Sequence, residues 1–182
     1  FIKYIPSIFL PIDLKNLKNS IISKDFTHAF NGSLFDIYDP NSTNWRTSQI
    51  PAANGHGTAA SLAKLFGILS TGCERDNIKL FDISSLKDAT SVKTKGPDTV
   101  LFGSKLNFGY CFMLNGNESS RVNFAPTMKK NSFGHAGIGG SVAFGDATKS
   151  LGYAFVCNRQ HKPATLYKTS NLLTEALYRI ID

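Results

Sequence analysis

The sequence predicts an α+β fold in which an antiparallel sheet is covered by helices. Three observations support this class. Apolar residues recur at helical spacing over residues 57–69 and again from Tyr167 to Asp182. Between these segments, residues 139–158 contain two short β-rich runs split by a Gly/Asp/Thr/Lys/Ser turn. This pattern is typical of a hairpin, and the order of helices, strand, hairpin and terminal helix indicates helices packed on antiparallel strands.

The first fifty residues are mixed in character. Residues 1–12 are apolar but interrupted by two prolines and a lysine, without the run of about 18 apolar residues that a membrane helix needs. They also lack the pattern of a signal peptide, so we expect a shielded strand or a loop packed on a core. Residues 13–50 are loop-rich, with a turn cluster at 39–44 and Trp45 as an anchoring core or lid contact. Because the first residue is Phe, we expect the chain to begin inside a longer reading frame or after processing.

Two helices are predicted next. Asn54-Gly55 signals a tight turn, and the helix over 57–69 has Thr58 as its N-cap and ends at Thr71-Gly72. Its stripe consists of Leu62, Leu65, Phe66 and Leu69. A second short helix is expected within residues 80–95, ended by Lys95-Gly96-Pro97-Asp98.

The second half of the chain is predicted to form the sheet. Val100 to Phe112 carries strand-like residues, residues 115–117 form a turn, and the 139–158 hairpin follows. In the terminal helix we expect the apolar stripe to pack on the sheet. That stripe consists of Leu172, Leu173, Ala176, Leu177, Ile180 and Ile181.

Composition limits the class of protein. A chain of 182 residues with 42% hydrophobic residues and 14 Phe can bury a core, and we expect a single domain without internal boundaries. The net charge of +7 comes from scattered residues, which does not favour nucleic-acid recognition. The three cysteines, Cys73, Cys111 and Cys157, form no CxxC pattern and no even set, which favours a reducing compartment such as the cytoplasm.

The richest local signal surrounds His135. This histidine lies among four glycines, at positions 134, 137, 139 and 140, just before the apolar run Val142-Ala143-Phe144. Glycines let a backbone approach a ligand closely, and histidine titrates near neutral pH. Local residues alone support equally a ligand site and a relaxed strand with His135 as a bystander.

A second candidate is Ser61-Leu62-Ala63-Lys64, which spells S-x-x-K. In penicillin-recognising serine enzymes this motif carries the nucleophilic serine, with the lysine one turn later on the same helix face. Ser61 also lies within an apolar stripe, so a packing helix with a chance Ser/Lys pair is the favoured interpretation. Ser42-Thr43-Asn44 reads as a polar turn, and Lys93-Thr94-Lys95-Gly96 as a helix end rather than a K-T-G strand.

Other classes of site are not supported by the sequence. No His/Cys/Asp/Glu cluster has the spacing of metal ligands, and Gly137-Ile138-Gly139-Gly140 opens a strand rather than a helix, unlike a phosphate loop. His56 reads as a loop histidine, and His28 and His161 have no companions. We therefore expect no metal and no cofactor.

Two blocks of sequence resemble a known family. Residues 50–66, from Ile50-Pro51 through Asn54-Gly55 to Leu65-Phe66, resemble the Pro-x-x-Asn-Gly loop and helix of β-lactamase-related serine hydrolases. This group includes class C β-lactamase-like proteins, penicillin-binding-protein-like proteins and family VIII carboxylesterases. Residues 133–146 resemble their third motif with its strand, 151–158 the next strand, and 167–182 the C-terminal helix. The resemblance covers roughly residues 35–182 and implies the β-lactamase/transpeptidase-like fold.

The resemblance implies roles for the third motif. In the family this position is K-T-G or H-x-G on the strand at the edge of the active site. It implies that His135 assists catalysis by hydrogen bonding or charge, and that Ala136, Gly137, Ile138 and Gly139 bind a small ester or amide substrate. The family's nucleophilic S-x-x-K and its Y-x-N lie upstream of the Asn-Gly loop, and no such stretch precedes residue 50.

Ser61 aligns instead with a downstream packing helix of the family. Residues 1–182 are therefore expected to form the C-terminal portion of a larger β-lactamase-like domain. Two functions follow: a serine hydrolase acting through an acyl-enzyme, whose nucleophile lies outside this chain, or a non-catalytic domain of the same fold that scaffolds or binds a ligand. A nucleic-acid-binding module ranks third, and the oligomeric state is left open.

Overall fold

The computed structural model describes residues 41–51, 53–98, 104–114, 131–137, 139–159 and 167–182. The predictions made for residues 1–40, for the start of the Val100 segment and for the 115–117 turn lie outside these ranges. Four helices lie within them: α1 (Thr43–Thr47), α2 (Ala59–Ser70), α3 (Ile83–Ala89) and α4 (Lys168–Ile181). Within the described ranges no helix is long and apolar enough to cross a membrane.

Eight strands accompany these helices. A two-stranded ribbon is formed by β1 (Glu74–Arg75) and β2 (Ile78–Lys79). The main sheet has six strands in the order of the chain: β3 (Thr94–Asp98), β4 (Ser104–Phe108), β5 (Met113–Leu114), β6 (Ser132–Ala136), β7 (Val142–Asp146) and β8 (Leu151–Phe155). Every neighbouring pair is antiparallel, which confirms the predicted α+β class with an antiparallel sheet and helices.

Helix α2 begins at a capping box. The Thr58 side chain accepts a hydrogen bond from the Ser61 N–H at 3.1 Å, and Ser61 Oγ accepts one from the Thr58 N–H at 3.1 Å. Two of the unpaired donors at the helix start are thereby satisfied. The helix ends as predicted, with Gly72 at a φ of +99° that favours glycine.

The region after α2 differs from the prediction. The helix expected within 80–95 is limited to Ile83–Ala89, and Lys95-Gly96-Pro97-Asp98 lies in strand β3 instead of only ending a helix. The K-T-G-like segment therefore does lie partly on a strand. Because β3 is at the edge of the sheet, the missing N–H of Pro97 can face away from the ladder, so proline is tolerated there.

Helices pack on both faces of the sheet. Along β7, Val142 and Phe144 belong to one buried cluster and Ala143 to the other, as the alternation of a strand requires. The Ala143 cluster contains Phe66 and Leu69 of α2, whereas the Phe144 cluster contains Tyr178 of α4. Phe144 has no exposed surface, and burying such a ring contributes about 1.5–3 kcal/mol.

Helix α2 contacts the sheet through glycine. A Cβ on Gly152 of β8 would lie 2.2 Å from the Ala63 carbonyl oxygen and 2.2 Å from the Gly67 nitrogen, both in α2. Gly145, the cross-strand partner of Gly152, would place a Cβ 3.0 Å from the Phe66 carbonyl oxygen. The backbone of α2 therefore rests directly on this glycine pair, and at Gly152 the approach is too close for any side chain.

Helix α4 buries a face that the sequence analysis did not predict. Its existence over Lys168–Ile181 is confirmed, but the predicted apolar stripe is largely on the outer side, with Leu172 57% and Ile180 82% exposed. The buried side carries Ser170, Thr174 and Tyr178. The Ser170 and Thr174 hydroxyls donate to carbonyls one turn earlier, so these small side chains are satisfied inside the helix and can face the sheet.

The glycine contact generates a stability prediction. In the full-length protein, Gly152→Ala should lower the free energy of unfolding by about 2 kcal/mol or more, because the new methyl group forces α2 away from β8. Urea denaturation measures the change. Gly55→Ala is the control, since a Cβ there meets no atom within 4 Å. Equal stability of the two variants would contradict this packing.

The capping box generates a second prediction. Ser61→Ala should lower the free energy of unfolding by about 1 kcal/mol, since it removes the reciprocal bond to Thr58. Thr58→Ala should cost a similar amount, and the double variant less than the sum. Ser84→Ala, an exposed serine in α3, serves as the control and should be neutral in urea denaturation. A neutral Ser61→Ala would mean that the cap does not contribute.

Candidate active site

The candidate site is built where β6 turns into β7. Gly137 and residues 139–141 belong to the connection between these strands, where the Gly137 N–H donates to the Ser141 carbonyl at 2.7 Å. This connection is the 137–141 loop, of which Ile138 lies outside the described residues. The Gly140 N–H donates back to the Gly137 carbonyl at 3.0 Å. Gly140 has a φ of +102°, so this turn requires glycine at that position.

His135 occupies the last part of β6, opposite Ala143 of β7, instead of lying before the first strand of the hairpin. Its ring is exposed, and its centroid lies 6.4 Å from that of Phe108. Nδ1 lies 2.9 Å from the Ala136 carbonyl oxygen, which can only accept, so we assign the proton to Nδ1. In the neutral ring Nε2 is then the nitrogen that accepts a proton or a hydrogen bond.

The glycines around His135 have different roles. A Cβ on Gly134 would lie 2.2 Å from the Ala143 carbonyl oxygen, so this glycine serves strand packing. A Cβ on Gly137 would meet nothing closer than the Ser141 carbonyl oxygen at 3.6 Å, which is an ordinary contact. Packing therefore requires glycine at position 134 and leaves room beside position 137, while Ile138 lies outside the described residues.

Two residues that the sequence analysis did not identify as part of the site form hydrogen bonds with the loop. The buried Tyr167 hydroxyl, just before α4, donates to the Gly137 carbonyl at 2.8 Å. Cys157, after β8, places its sulfur 3.2 Å from the Gly139 carbonyl oxygen and its N–H 3.3 Å from Ser141 Oγ. No local pattern marks these contacts, because the partners are 16 to 30 residues apart in the chain.

Ser61 and Lys64 lie on helix α2, where Ser61 takes part in the capping box. Ser61 Oγ donates to the Thr58 carbonyl at 2.9 Å and is otherwise engaged in the capping box. Lys64 is exposed, and neither residue has a hydrogen bond to the other or to the 137–141 loop in the part of the chain that the structure describes. Ser61 thus acts as a helix cap.

The Asn-Gly loop before α2 is organised by one side chain. The Asn54 amide nitrogen donates to the carbonyls of Trp45 and Ser48 at 2.7 and 2.5 Å, and its oxygen accepts from the Ile50 N–H at 3.1 Å. Trp45 is buried, as an anchoring contact should be. Asn54 therefore fixes the chain between α1 and α2 through its side chain, in addition to marking a turn.

Burial changes the pKa of several side chains in the described part of the chain. Burial raises the pKa of the Tyr167 and Tyr178 hydroxyls and of the Cys73 thiol above their ordinary values. None of the three cysteines forms a disulfide. Across the described ranges, no group of three His, Cys, Asp or Glu side chains lies close enough to hold a metal ion.

Comparison with known proteins agrees with this architecture. The chain is 27% identical over 172 residues to the "Esterase/beta-lactamase LipL" of Mycobacterium tuberculosis (strain ATCC 25618 / H37Rv), an alignment that covers 89% of this chain and 38% of that protein. The chain thus spans less than two fifths of this relative's length.

Solved structures share the fold. A penicillin-binding protein homologue from Caulobacter crescentus superposes with a TM-score of 0.57 at 39% identity, covering 65% of this chain and 30% of that one. A family VIII carboxylesterase gives a TM-score of 0.58 at 24% identity, covering 70% and 36%. EstA from Arthrobacter nitroguajacolicus Rue61a gives 0.58 at 22% identity, covering 76% and 37%.

The last two structures support the fold alone, which is the β-lactamase/transpeptidase-like arrangement of an antiparallel sheet with helices. The family model described as Beta-lactamase matches residues 19–176, which includes α1 to α3, the whole sheet and part of α4. The chain therefore belongs to the β-lactamase family.

Proposed function

We propose that this chain is the C-terminal portion of a β-lactamase-related serine hydrolase that cleaves small esters or amides through an acyl-enzyme. The observation that carries the proposal is the end of β6, where the exposed His135 is followed by Gly137, at which an added Cβ would make only ordinary contacts, 3.6 Å from the Ser141 carbonyl oxygen and 3.9 Å from the Ser141 Cβ. Both features lie on the fold of the family to which the chain belongs. The name of the mycobacterial relative, which includes both esterase and β-lactamase, supports this class of substrate.

His135 is proposed to assist catalysis through Nε2. Its Nδ1–H is directed to the Ala136 carbonyl, which fixes the tautomer in which Nε2 carries the lone pair. A nitrogen in that state can accept a hydrogen bond near the acyl group, or donate one once the ring is protonated.

Gly137 is proposed to receive substrate beside its Cα. Its N–H already donates to Ser141 and its carbonyl accepts from Gly140 and Tyr167, so the polar groups of Gly137 serve the loop. The space that a side chain would fill is what this residue offers to a ligand. Ala136, Ile138 and Gly139 are proposed to complete the substrate-binding backbone.

The nucleophile is proposed to lie outside this chain. The Ser61 hydroxyl is hydrogen-bonded to Thr58, and in the described part of the chain no hydrogen bond joins it to Lys64. The aligned share of the relatives, 38% or less of their length, supports a larger domain of which residues 1–182 are one part. The outer face of α4, with Leu172 and Ile180, is proposed to be covered by the remainder of that domain.

A fluorophosphonate probe tests the proposed reaction in the full-length protein. We expect covalent labelling of a serine outside residues 1–182, located by peptide mass spectrometry, and persistence of labelling in Ser61→Ala. Labelling of Ser61 would overturn the assignment of the nucleophile. Complete lack of labelling would support the non-catalytic alternative, as would an upstream sequence without S-x-x-K followed by Y-x-N.

Variants at the candidate site sharpen this experiment. His135→Ala should slow labelling by about tenfold or more, because a hydrogen-bonding group near the acyl centre is lost. Gly137→Ala should also slow labelling while changing stability by less than about 1 kcal/mol, because its new methyl meets only ordinary contacts. Gly55→Ala should label at the wild-type rate. Unchanged labelling in His135→Ala would remove this residue from the site.

The outer face of α4 gives a test of the larger domain. Leu172→Gln/Ile180→Gln should change the free energy of unfolding of the isolated chain by less than about 1 kcal/mol, since both side chains are mostly exposed. In the full-length protein the same change should cost about 2 kcal/mol or more, because apolar burial is lost. Equal effects in both would contradict a covering segment. We expect the isolated chain itself to be marginally stable.

A further inference from the structure

We propose that Tyr167 is a positioning residue that holds Gly137, and through it residues 139–141 of the loop, in the position that receives substrate. The expected effect of Tyr167 on substrate binding rests on the proposed function. The restraint of the loop by Tyr167 stands on the hydrogen bond that joins the start of α4 to the end of β6.

The hydrogen bond between Tyr167 and Gly137 restrains the loop. Tyr167 is 2% exposed, and its hydroxyl donates to the Gly137 carbonyl at 2.8 Å. A buried phenol hydroxyl requires a polar partner, so this bond decides where the loop carbonyl lies. The phenol hydroxyl is a donor at neutral pH, and burial raises the pKa of Tyr167 further above its ordinary value.

Gly137 links this bond to the closure of the loop. The same carbonyl accepts the Gly140 N–H at 3.0 Å, and the Gly137 N–H donates to the Ser141 carbonyl at 2.7 Å. Loss of the phenol would leave these bonds within the loop intact but remove the connection to a packed helix. The peptide beside the proposed substrate space could then shift as a unit.

The backbone of Tyr167 supports the same interpretation. Its φ of +63° places it in the left-handed region, which a non-glycine residue retains only where its surroundings hold it. The Tyr167 carbonyl accepts hydrogen bonds from the Asn171 N–H at 2.8 Å and from the Ser170 hydroxyl at 3.0 Å. These two bonds hold the Tyr167 backbone at the first turn of α4. Because the backbone of Tyr167 is fixed, the hydrogen bond from its hydroxyl restrains Gly137.

Tyr178 provides a matched control in the same helix. It is 3% exposed, belongs to the same buried cluster, and its hydroxyl donates to Asp146 Oδ2 at 2.7 Å. Asp146 lies at the far end of β7 from the loop. Tyr178→Phe therefore removes a comparable buried hydrogen bond without touching residues 137–141.

The first measurement is steady-state hydrolysis of a p-nitrophenyl ester by the full-length protein. Tyr167→Phe should raise KM about tenfold with a smaller change in kcat, since a buried hydrogen bond that orders the binding loop is lost. Tyr178→Phe should leave KM unchanged. Destabilisation alone lowers the folded fraction and hence the apparent kcat, so an unchanged KM in Tyr167→Phe would overturn the proposal.

The second measurement is hydrogen exchange, which does not depend on turnover. Amides in residues 137–141 should exchange about tenfold faster in Tyr167→Phe and at the wild-type rate in Tyr178→Phe. Unchanged exchange in the loop of Tyr167→Phe would overturn the restraint itself. A wild-type protein without hydrolytic activity would instead overturn the proposed function, and exchange would still decide whether Tyr167 holds the loop.

Discussion

The close approach of α2 to the glycine pair Gly145 and Gly152 is the constraint on which the rest of the structure depends. Because neither glycine has a side chain, the helix backbone rests on β7 and β8 instead of standing off at side-chain distance. This brings Phe66 into contact with Phe133 of β6, with ring centroids 6.2 Å apart. The strand that carries His135 is thereby fixed from one face of the sheet.

The opposite face is fixed by polar contacts as much as by apolar ones. Tyr178 is bonded to Asp146 and Tyr167 to Gly137, so α4 is attached near both ends of the β6–β7 hairpin. Buried hydroxyls of this kind specify one position along the sheet, which apolar packing alone does not do. The strands that carry the candidate site therefore lie between two helices. Helix α2 packs on glycines of the sheet, whereas α4 is attached through tyrosine hydrogen bonds.

How much of the candidate site could be predicted depends on how far apart in the sequence the interacting residues are. His135 and its glycines stand together in the sequence and the predicted strand over Val142–Phe144 is present, but His135 lies within β6, and the glycines expected to open a strand belong to the connection between β6 and β7. Ser61 was recognisable as a helix residue from the N-cap at Thr58 and the apolar stripe over residues 57–69, and the capping box that engages it is confined to one turn. Tyr167 and Cys157 could not be found, because their partners lie 16 to 30 residues away.

The sequence by itself determined the α+β class, the positions of α2 and α4, and the hairpin of β7 and β8, because helical periodicity, caps and turns act over a few residues. Only the tertiary structure decided which side of α4 is buried and why particular glycines occur. Apolar periodicity predicted that the side with Leu172 and Ile180 is buried. In the structure the buried side carries Ser170, Thr174 and Tyr178. Small, internally bonded side chains and a partner for Asp146 fit that surface, a requirement visible only once β7 faces the helix.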